Sequence, residues 1–134
     1  MPYAREDDIG VLIDGLLAHG LLGGRMSEST TFPDGDWRAA SPDFQGEAFR
    51  RNLGAARALG RFAAGRGYTL PQLAIAWALA NPAAHVAIVG ARRAEHLEES
   101  LGTLDFRLEQ EDLAQIDRLM RPATQMVGPS PDSV

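Results

Sequence analysis

Two adjacent arginines, Arg92 and Arg93, follow a short apolar run and a glycine. The apolar run covers residues 86–89, Gly90 ends it, and a segment with helical periodicity comes after the arginines. A helix N-terminus presents unpaired N–H groups and the positive end of a dipole, and arginine adds a fork of charged donors. The pattern therefore indicates a phosphate site. The alternative interpretation is a pair of solvated surface side chains, because many strand–turn–helix units carry such arginines without a ligand.

The composition excludes several classes of function. The chain has 134 residues, which suits one domain, and its 45% hydrophobic content is enough for a core. The net charge of −5 argues against a general nucleic-acid binder. No apolar run approaches the roughly 20 residues that span a bilayer, and no signal pattern opens the chain. We therefore expect a cytoplasmic protein without nucleic-acid or membrane partners.

The basic and sulfur-containing residues limit the chemistry further. The chain has no cysteine, which excludes thiolate metal sites, and its three histidines are too far apart for a local metal motif. All 13 basic residues are arginine, since the sequence contains no lysine. Any mechanism that needs a lysine requires another source, and we expect no metal site.

The periodicity predicts two strands and mostly helical remaining segments. Residues 9–13 and 86–89 are apolar on both faces, as buried parallel strands are. Residues 15–25 combine four glycines with leucines, which favours a loop whose backbone closely approaches another group. Residues 26–46 form a longer loop, either a functional lid or a segment that is disordered in isolation. Trp37 and Phe44 indicate that this loop packs on another part of the chain.

Helices are predicted over residues 47–65, 70–80, 95–101 and 110–120. The first has arginines opposite an apolar face. The second begins after Thr69 as N-cap, with Pro71 just inside, and is apolar almost all round, so that we expect Trp77 in the core. The order of elements predicts an α/β unit with two parallel strands, a section of a larger barrel or sheet. We expect one domain over residues 1–122 and a flexible tail over residues 123–134.

Three segments resemble the C-terminal part of the aldo/keto reductases. They are GVLIDGLLAHGLLGGR, LPQLAIAWALANP and VAIVGARRAEHLEESLGTLDFRLEQEDLAQID, in the order and spacing of that family. The resemblance implies a (β/α)8 TIM barrel that binds NADP(H) in an extended pose and reduces aldehydes and ketones. A full barrel takes about 250 residues. The chain therefore resembles an incomplete (β/α)8 barrel segment, the last two strand–helix units.

The resemblance also implies the residues of a partial NADP(H) site. The turn after strand seven, which passes under the cofactor pyrophosphate, falls on Gly15, Leu16, Leu17, Ala18 and His19, and the basic residue of that loop falls on Arg25. The glycine after strand eight is Gly90, and the positions near the adenosine 2′-phosphate fall on Arg92 and Arg93. The adenine-side positions are His96, Glu99 and Ser100.

The sequence departs from the family pattern at three of these positions. Asp14 replaces an aromatic or polar residue and adds negative charge near an anion site. Val89 replaces the proline of the second turn, and Ser100 replaces an asparagine. These changes weaken the implied cofactor site without removing it.

The family's catalytic residues have no counterpart in this chain. The family uses a tyrosine acid assisted by lysine and aspartate, with a histidine nearby, and all four come from earlier strands. Tyr3 and Tyr68 lie at unrelated positions, where packing is the simplest interpretation. We therefore expect no catalytic residues here and no activity from the chain alone.

Three functions remain open. The chain is a truncated aldo/keto reductase that retains part of an NADP(H) site, or a non-catalytic interaction module that completes its sheet with a partner chain or a second copy. The third alternative is a mainly helical domain that has lost ligand binding. Residual hydride chemistry would need a second chain supplying tyrosine and lysine.

Overall fold

The computed structural model describes residues 2–91 and 93–126. Arg92, part of the predicted phosphate site, lies outside the described residues, as do residues 127–134 of the expected tail. The helices and strands of the described part, in chain order, are α1 (Pro2–Glu6), β1 (Leu12–Ile13), α2 (Gly46–Ala64), α3 (Leu70–Leu79), β2 (Val86–Ala87), α4 (Ala94–Leu101) and α5 (Gln110–Met120).

The two strands pair in parallel. Leu12 lies opposite Val86 and Ile13 opposite Ala87, and Ile88 N donates to Ile13 O at 2.8 Å. The parallel pairing agrees with the prediction, but each strand is only two residues long and the side chain of Leu12 is 63% exposed. The prediction that the strands are buried on both faces was therefore wrong for these residues. A strand is buried on both faces only where other elements cover the sheet, and the described residues leave Leu12 and Val86 largely uncovered.

Helix α2 is amphipathic, as its periodicity predicts. Its apolar face includes Phe49, Leu53 and Leu59, all nearly inaccessible to solvent. On the opposite side, Glu47 in the first turn accepts hydrogen bonds from Arg50 and Arg51 at 3.2 Å each. These hydrogen bonds lower the pKa of Glu47 below its usual range. Because this carboxylate is exposed, the ion pairs support the local helix more than the fold.

Helix α3 begins with a capping box. Thr69 Oγ1 accepts from the backbone N–H of Gln72 at 3.3 Å, and Gln72 Oε1 accepts from Thr69 N at 3.0 Å. The helix packs against α2, α4, β2 and the loop after β1. Leu73 is only 1% exposed, and Trp77, expected in the core, packs half-buried against its edge.

Helix α5 closes the core over α2. Ile116 is 1% exposed, and the buried carboxylate of Asp112 forms an ion pair with Arg66, just beyond the end of α2. Farther along, Thr124 donates to Asn52 Oδ1 from its backbone N at 2.7 Å and from its hydroxyl at 3.1 Å. The tail predicted to begin at residue 123 stays a prediction. Near its start, Thr124 contacts α2 through Asn52.

The hydrophobic core therefore lies between α2, α3 and α5, with the loop after β1 on its remaining side. Its buried members include Leu21, Leu22, Phe44, Phe49, Leu53, Leu59, Leu73 and Ile116. Among the helices described here, none is long and apolar enough to cross a membrane.

We predict that Leu73→Ala lowers the free energy of unfolding by about 3 kcal/mol, because it leaves a cavity where α3 meets its neighbours. Leu97→Ala is the matched control, since this α4 leucine is 50% exposed, and its effect should stay within about 0.5 kcal/mol. Urea denaturation of both variants measures the difference. Equal losses would contradict the central place of α3.

Candidate functional site

An open cleft of about 950 Å³ lies between the loop after β1, the 33–38 segment, the end of β2 and helix α4. Seven of the residues predicted to bind the cofactor line it, although they come from distant parts of the chain. They are Leu17, His19, Arg25, Gly90, His96, Glu99 and Ser100. The fold thus brings the two halves of the predicted site together.

Two of the other predicted residues line a neighbouring pocket. Gly15 and Leu16 line a smaller adjoining pocket of about 200 Å³, together with Ile75 and Ile88. Ala18 packs against the core. Arg92 lies outside the described residues, so its place relative to the cleft stays a prediction.

The 15–20 turn that follows β1 has an unusual backbone. Ala18 and His19 have φ values of +45° and +55°, and Gly15 and Gly20 are also positive, at +65° and +100°. Left-handed conformations cost alanine and histidine energy that glycine avoids. Two hydrogen bonds close the turn, from Ala18 N to Gly15 O and from Gly20 N to Leu17 O, each 2.9 Å long. Strain of this kind persists only where the surroundings enforce it.

The buried side chains of Leu21 and Leu22 anchor the far end of this turn in the core. A three-ten segment spans Ala18–Gly23, and the left-handed residues His19 and Gly20 interrupt it. The prediction of a loop over residues 15–25 is confirmed, and the close approach of its backbone to another group stays a prediction. Its backbone forms one wall of the cleft because the chain must turn sharply between strand β1 and the core.

The 33–38 segment forms the opposite wall and was missed by sequence reasoning. Asp36 caps a three-ten turn, Trp37–Ala39, by accepting from Arg38 N at 3.0 Å. Its carboxylate also pairs with the Arg38 side chain, at 3.0 Å to Nε and 2.6 Å to Nη2. These hydrogen bonds raise the pKa of Arg38. An aspartate two residues before an arginine is the available sequence signal, but it does not reveal that the pair lies at a cleft.

Aromatic contacts connect this wall to the core. The Trp37 ring meets His19 edge to face at 4.8 Å and Phe44 at 5.9 Å, both measured between ring centroids. Phe44 in turn contacts Phe32 at 5.3 Å and the α2 residue Phe49 at 6.0 Å. The prediction that Trp37 and Phe44 pack on another part of the chain is confirmed, and the long loop is fixed by packing.

Helix α4 supplies the third side of the cleft. Ser100 Oγ donates to His96 O at 2.7 Å within the helix, and Gln72 of α3 donates from Nε2 to Glu99 O at 3.0 Å. At the start of the helix, no side chain of the described residues caps the first N–H groups. The His96 N–H donates to Arg93 O at 3.2 Å, and the uncapped N–H groups before it suit an anionic ligand.

The charges around the cleft are mixed. Arg25 and Arg38 contribute positive charge, and Asp34, Asp36 and Glu99 contribute carboxylates. Among the described residues, Arg25 forms no ion pair, whereas Arg38 is bound to Asp36. No cluster of potential metal ligands occurs in residues 2–91 and 93–126.

The two tyrosines do not line the cleft. Tyr3 is 70% exposed in α1, and Tyr68 stacks on Phe106 with ring centroids 3.5 Å apart. Asp14, one of the three departures from the family pattern, is exposed and outside the set of lining residues. The second departure, Val89, and the third, Ser100, both line the cleft.

We predict that Ala18→Gly raises the free energy of unfolding by up to about 1 kcal/mol, because it relieves a left-handed alanine. Ala55→Gly, within α2, is the matched control and should lower it by about 1 kcal/mol or more. Thermal unfolding of both variants measures the changes. A loss in both variants would show that the Ala18 methyl contact outweighs the backbone strain.

Comparisons with known proteins agree on one family. The family model described as "Aldo/keto reductase family" matches residues 1–121. The chain is similar to aldo-keto reductase YhdN of Bacillus subtilis, with 35% identity over 96% of this chain and 40% of that protein. It is 32% identical to "Aldo-keto reductase yakc [NADP(+)]" of Schizosaccharomyces pombe, over 87% of this chain and 34% of that one.

A solved structure shows the same arrangement. The glycerol dehydrogenase AKR11B4 from Gluconobacter oxydans superposes with a TM-score of 0.86 and 30% identity, over 96% of this chain and 39% of that chain. The chain thus spans about 40% of the length of such relatives. The fold is a partial (β/α)8 barrel, as the sequence predicted, and the chain belongs to the aldo/keto reductase family.

Proposed function

We propose that this chain forms part of the NADP(H)-binding site of an aldo/keto reductase whose activity is NADPH-dependent reduction of aldehydes or ketones. The observation that carries the proposal is the single cleft lined by Leu17, His19 and Arg25 on one side and by Gly90, His96 and Glu99 on the other. The family resemblance assigns those positions to the cofactor. Their convergence supports a common ligand.

The residues of the cleft fit such a cofactor. Its volume of about 950 Å³ suits a large ligand. Arg25, which forms no ion pair among the described residues, offers charged donors to a phosphate, and the start of α4 offers N–H groups. The negative charges of Asp34 and Glu99 make the fit partial, and we expect weak binding.

Catalysis requires residues from elsewhere. Bound NADPH supplies the hydride, and the carbonyl oxygen then needs a proton donor. The sequence has no lysine to assist a tyrosine acid, and neither Tyr3 nor Tyr68 lines the cleft. We therefore propose that the catalytic tyrosine and lysine come from polypeptide outside this sequence, and that this chain by itself binds cofactor without reducing a carbonyl.

We predict that NADPH binds saturably and that Arg25→Gln raises its Kd about tenfold, since one charge-assisted contact is lost. Arg61→Gln is the control, because this arginine lies on the exposed face of α2. Arg92→Ala tests the phosphate position assigned from the sequence and should also weaken binding. Isothermal calorimetry measures all four proteins. Absence of binding at millimolar NADPH would overturn the proposed function.

A second candidate function is supported by the exposed sheet. Leu12, Val86 and Ile88 are 63%, 47% and 51% exposed, and large apolar side chains at an open sheet favour association. The alternative function is thus an interaction module, in which a partner chain or a second copy completes the sheet. This function does not depend on the cofactor.

If a second copy fills this role, Leu12→Lys should shift the protein to monomer, because a charged side chain opposes burial of the sheet. Leu104→Lys is the control at an exposed leucine outside the sheet. Light scattering over a concentration series measures the mass of each protein. A wild type that stays monomeric would contradict self-association, and equal effects of both variants would contradict the role of the sheet.

A further inference from the structure

The guanidinium of Arg38 is occupied by partners within the chain. Its Nε and Nη2 donate to the two carboxylate oxygens of Asp36, and Nη1 donates to the backbone oxygen of His19 at 2.9 Å. The face of the guanidinium lies over the Phe32 ring, 4.5 Å from its centroid. The side chain is 25% exposed, so these contacts are partly shielded from water. A planar fork can make all of them together, whereas an ammonium group cannot.

These contacts join both walls of the cleft. Arg38 holds the backbone of His19 in the 15–20 turn, and the neighbouring Trp37 packs its ring against the imidazole of the same residue. Within the 15–20 turn, His19 and Ala18 are the two left-handed residues that are not glycine. The backbone and the ring of this strained residue are therefore fixed by two consecutive residues of the opposite wall.

We propose that Arg38, oriented by Asp36, is a positioning residue that fixes the 33–38 segment against the 15–20 turn and so preforms the cleft. This inference rests on the proposed function, because the ligand that benefits is the nicotinamide dinucleotide. Arg38 is then not the phosphate ligand, although it lines the cleft; among the described arginines, Arg25 takes the role of phosphate ligand.

The physical effect is preorganisation. Residues 24–36 contain no helix or strand, and a long loop loses affinity when it must be ordered at the moment of binding. If only a fraction of molecules has the cleft formed, the apparent Kd rises by the inverse of that fraction. Asp36 and Arg38 therefore raise the affinity for NADPH together, and removing either side chain should weaken NADPH binding.

The opposite role predicts opposite signs. If Arg38 bound phosphate directly, Asp36 would compete for its guanidinium, and Asp36→Asn would tighten binding while Arg38→Gln weakened it. A positioning pair predicts that both variants weaken NADPH binding, each about tenfold, and that the double variant is little worse than either. Arg38→Lys keeps the charge without the fork, so it should resemble Arg38→Gln.

Trp37 reports the position of the wall directly. In a Trp77→Phe background it is the only tryptophan of the chain, and acrylamide quenching of its fluorescence measures its accessibility. We expect Asp36→Asn, Arg38→Gln and Arg38→Lys each to increase quenching without NADPH, with thermal unfolding confirming that the fold persists. Arg57→Gln is the matched control, because Arg57 forms an exposed ion pair with Glu28 of the same loop at 3.6 Å.

The two measurements separate the proposals. If the wild-type protein fails to bind NADPH, the proposed function is overturned. Increased Trp37 quenching in the variants would still support the positioning role of Arg38 between the two walls. Unchanged quenching in all three variants overturns the positioning role, whatever NADPH does. Tighter NADPH binding by Asp36→Asn, or wild-type affinity in Arg38→Lys, also overturns it and assigns Arg38 to the phosphate.

Discussion

The burial of helix α3 on several sides is the interaction on which the rest of the structure depends. One side of the helix packs on α2 and contributes Leu73 to the core. Its other sides support the loop after β1, strand β2 and helix α4, the elements that carry the cleft. Because α3 is apolar almost all round, several of its sides can be buried against neighbouring elements at once. The positions of the elements that line the cleft therefore depend on the packing of the core.

Much of the fold could be predicted because its signals are local. The predicted ends of α2, α3 and α4 lie within one residue of those observed, and α5 agrees at both ends, since periodicity and caps such as Thr69 are encoded in neighbouring residues. The strands were predicted too long, because their length depends on pairing with distant residues. The family resemblance supplied the residues of the site, whereas their convergence required the folded chain.

The wall formed by residues 33–38 shows what local signals omit. Trp37 and Phe44 suggested packing, but the contacts that position them join His19, Phe32 and Phe49, which no short sequence window contains together. Arg25 and Arg38, the arginines that line the cleft among the described residues, also have different surroundings. Arg38 is held by an adjacent carboxylate and a backbone oxygen, while Arg25 forms no ion pair among the described residues, so equal charge does not imply equal availability.

The pairing of Leu12 with Val86 also bears on how the molecule acquires its shape. These partners are 74 positions apart, more than half the chain length, so their contact closes a very long loop. Closing that loop costs conformational entropy. The favourable free energy of two short paired strands and of the helices packed between them must offset this cost. Helices α2 and α3 can associate through nearer contacts first. The strand pair holds the two sides of the cleft in their relative positions, so ligand recognition depends on the completed chain topology.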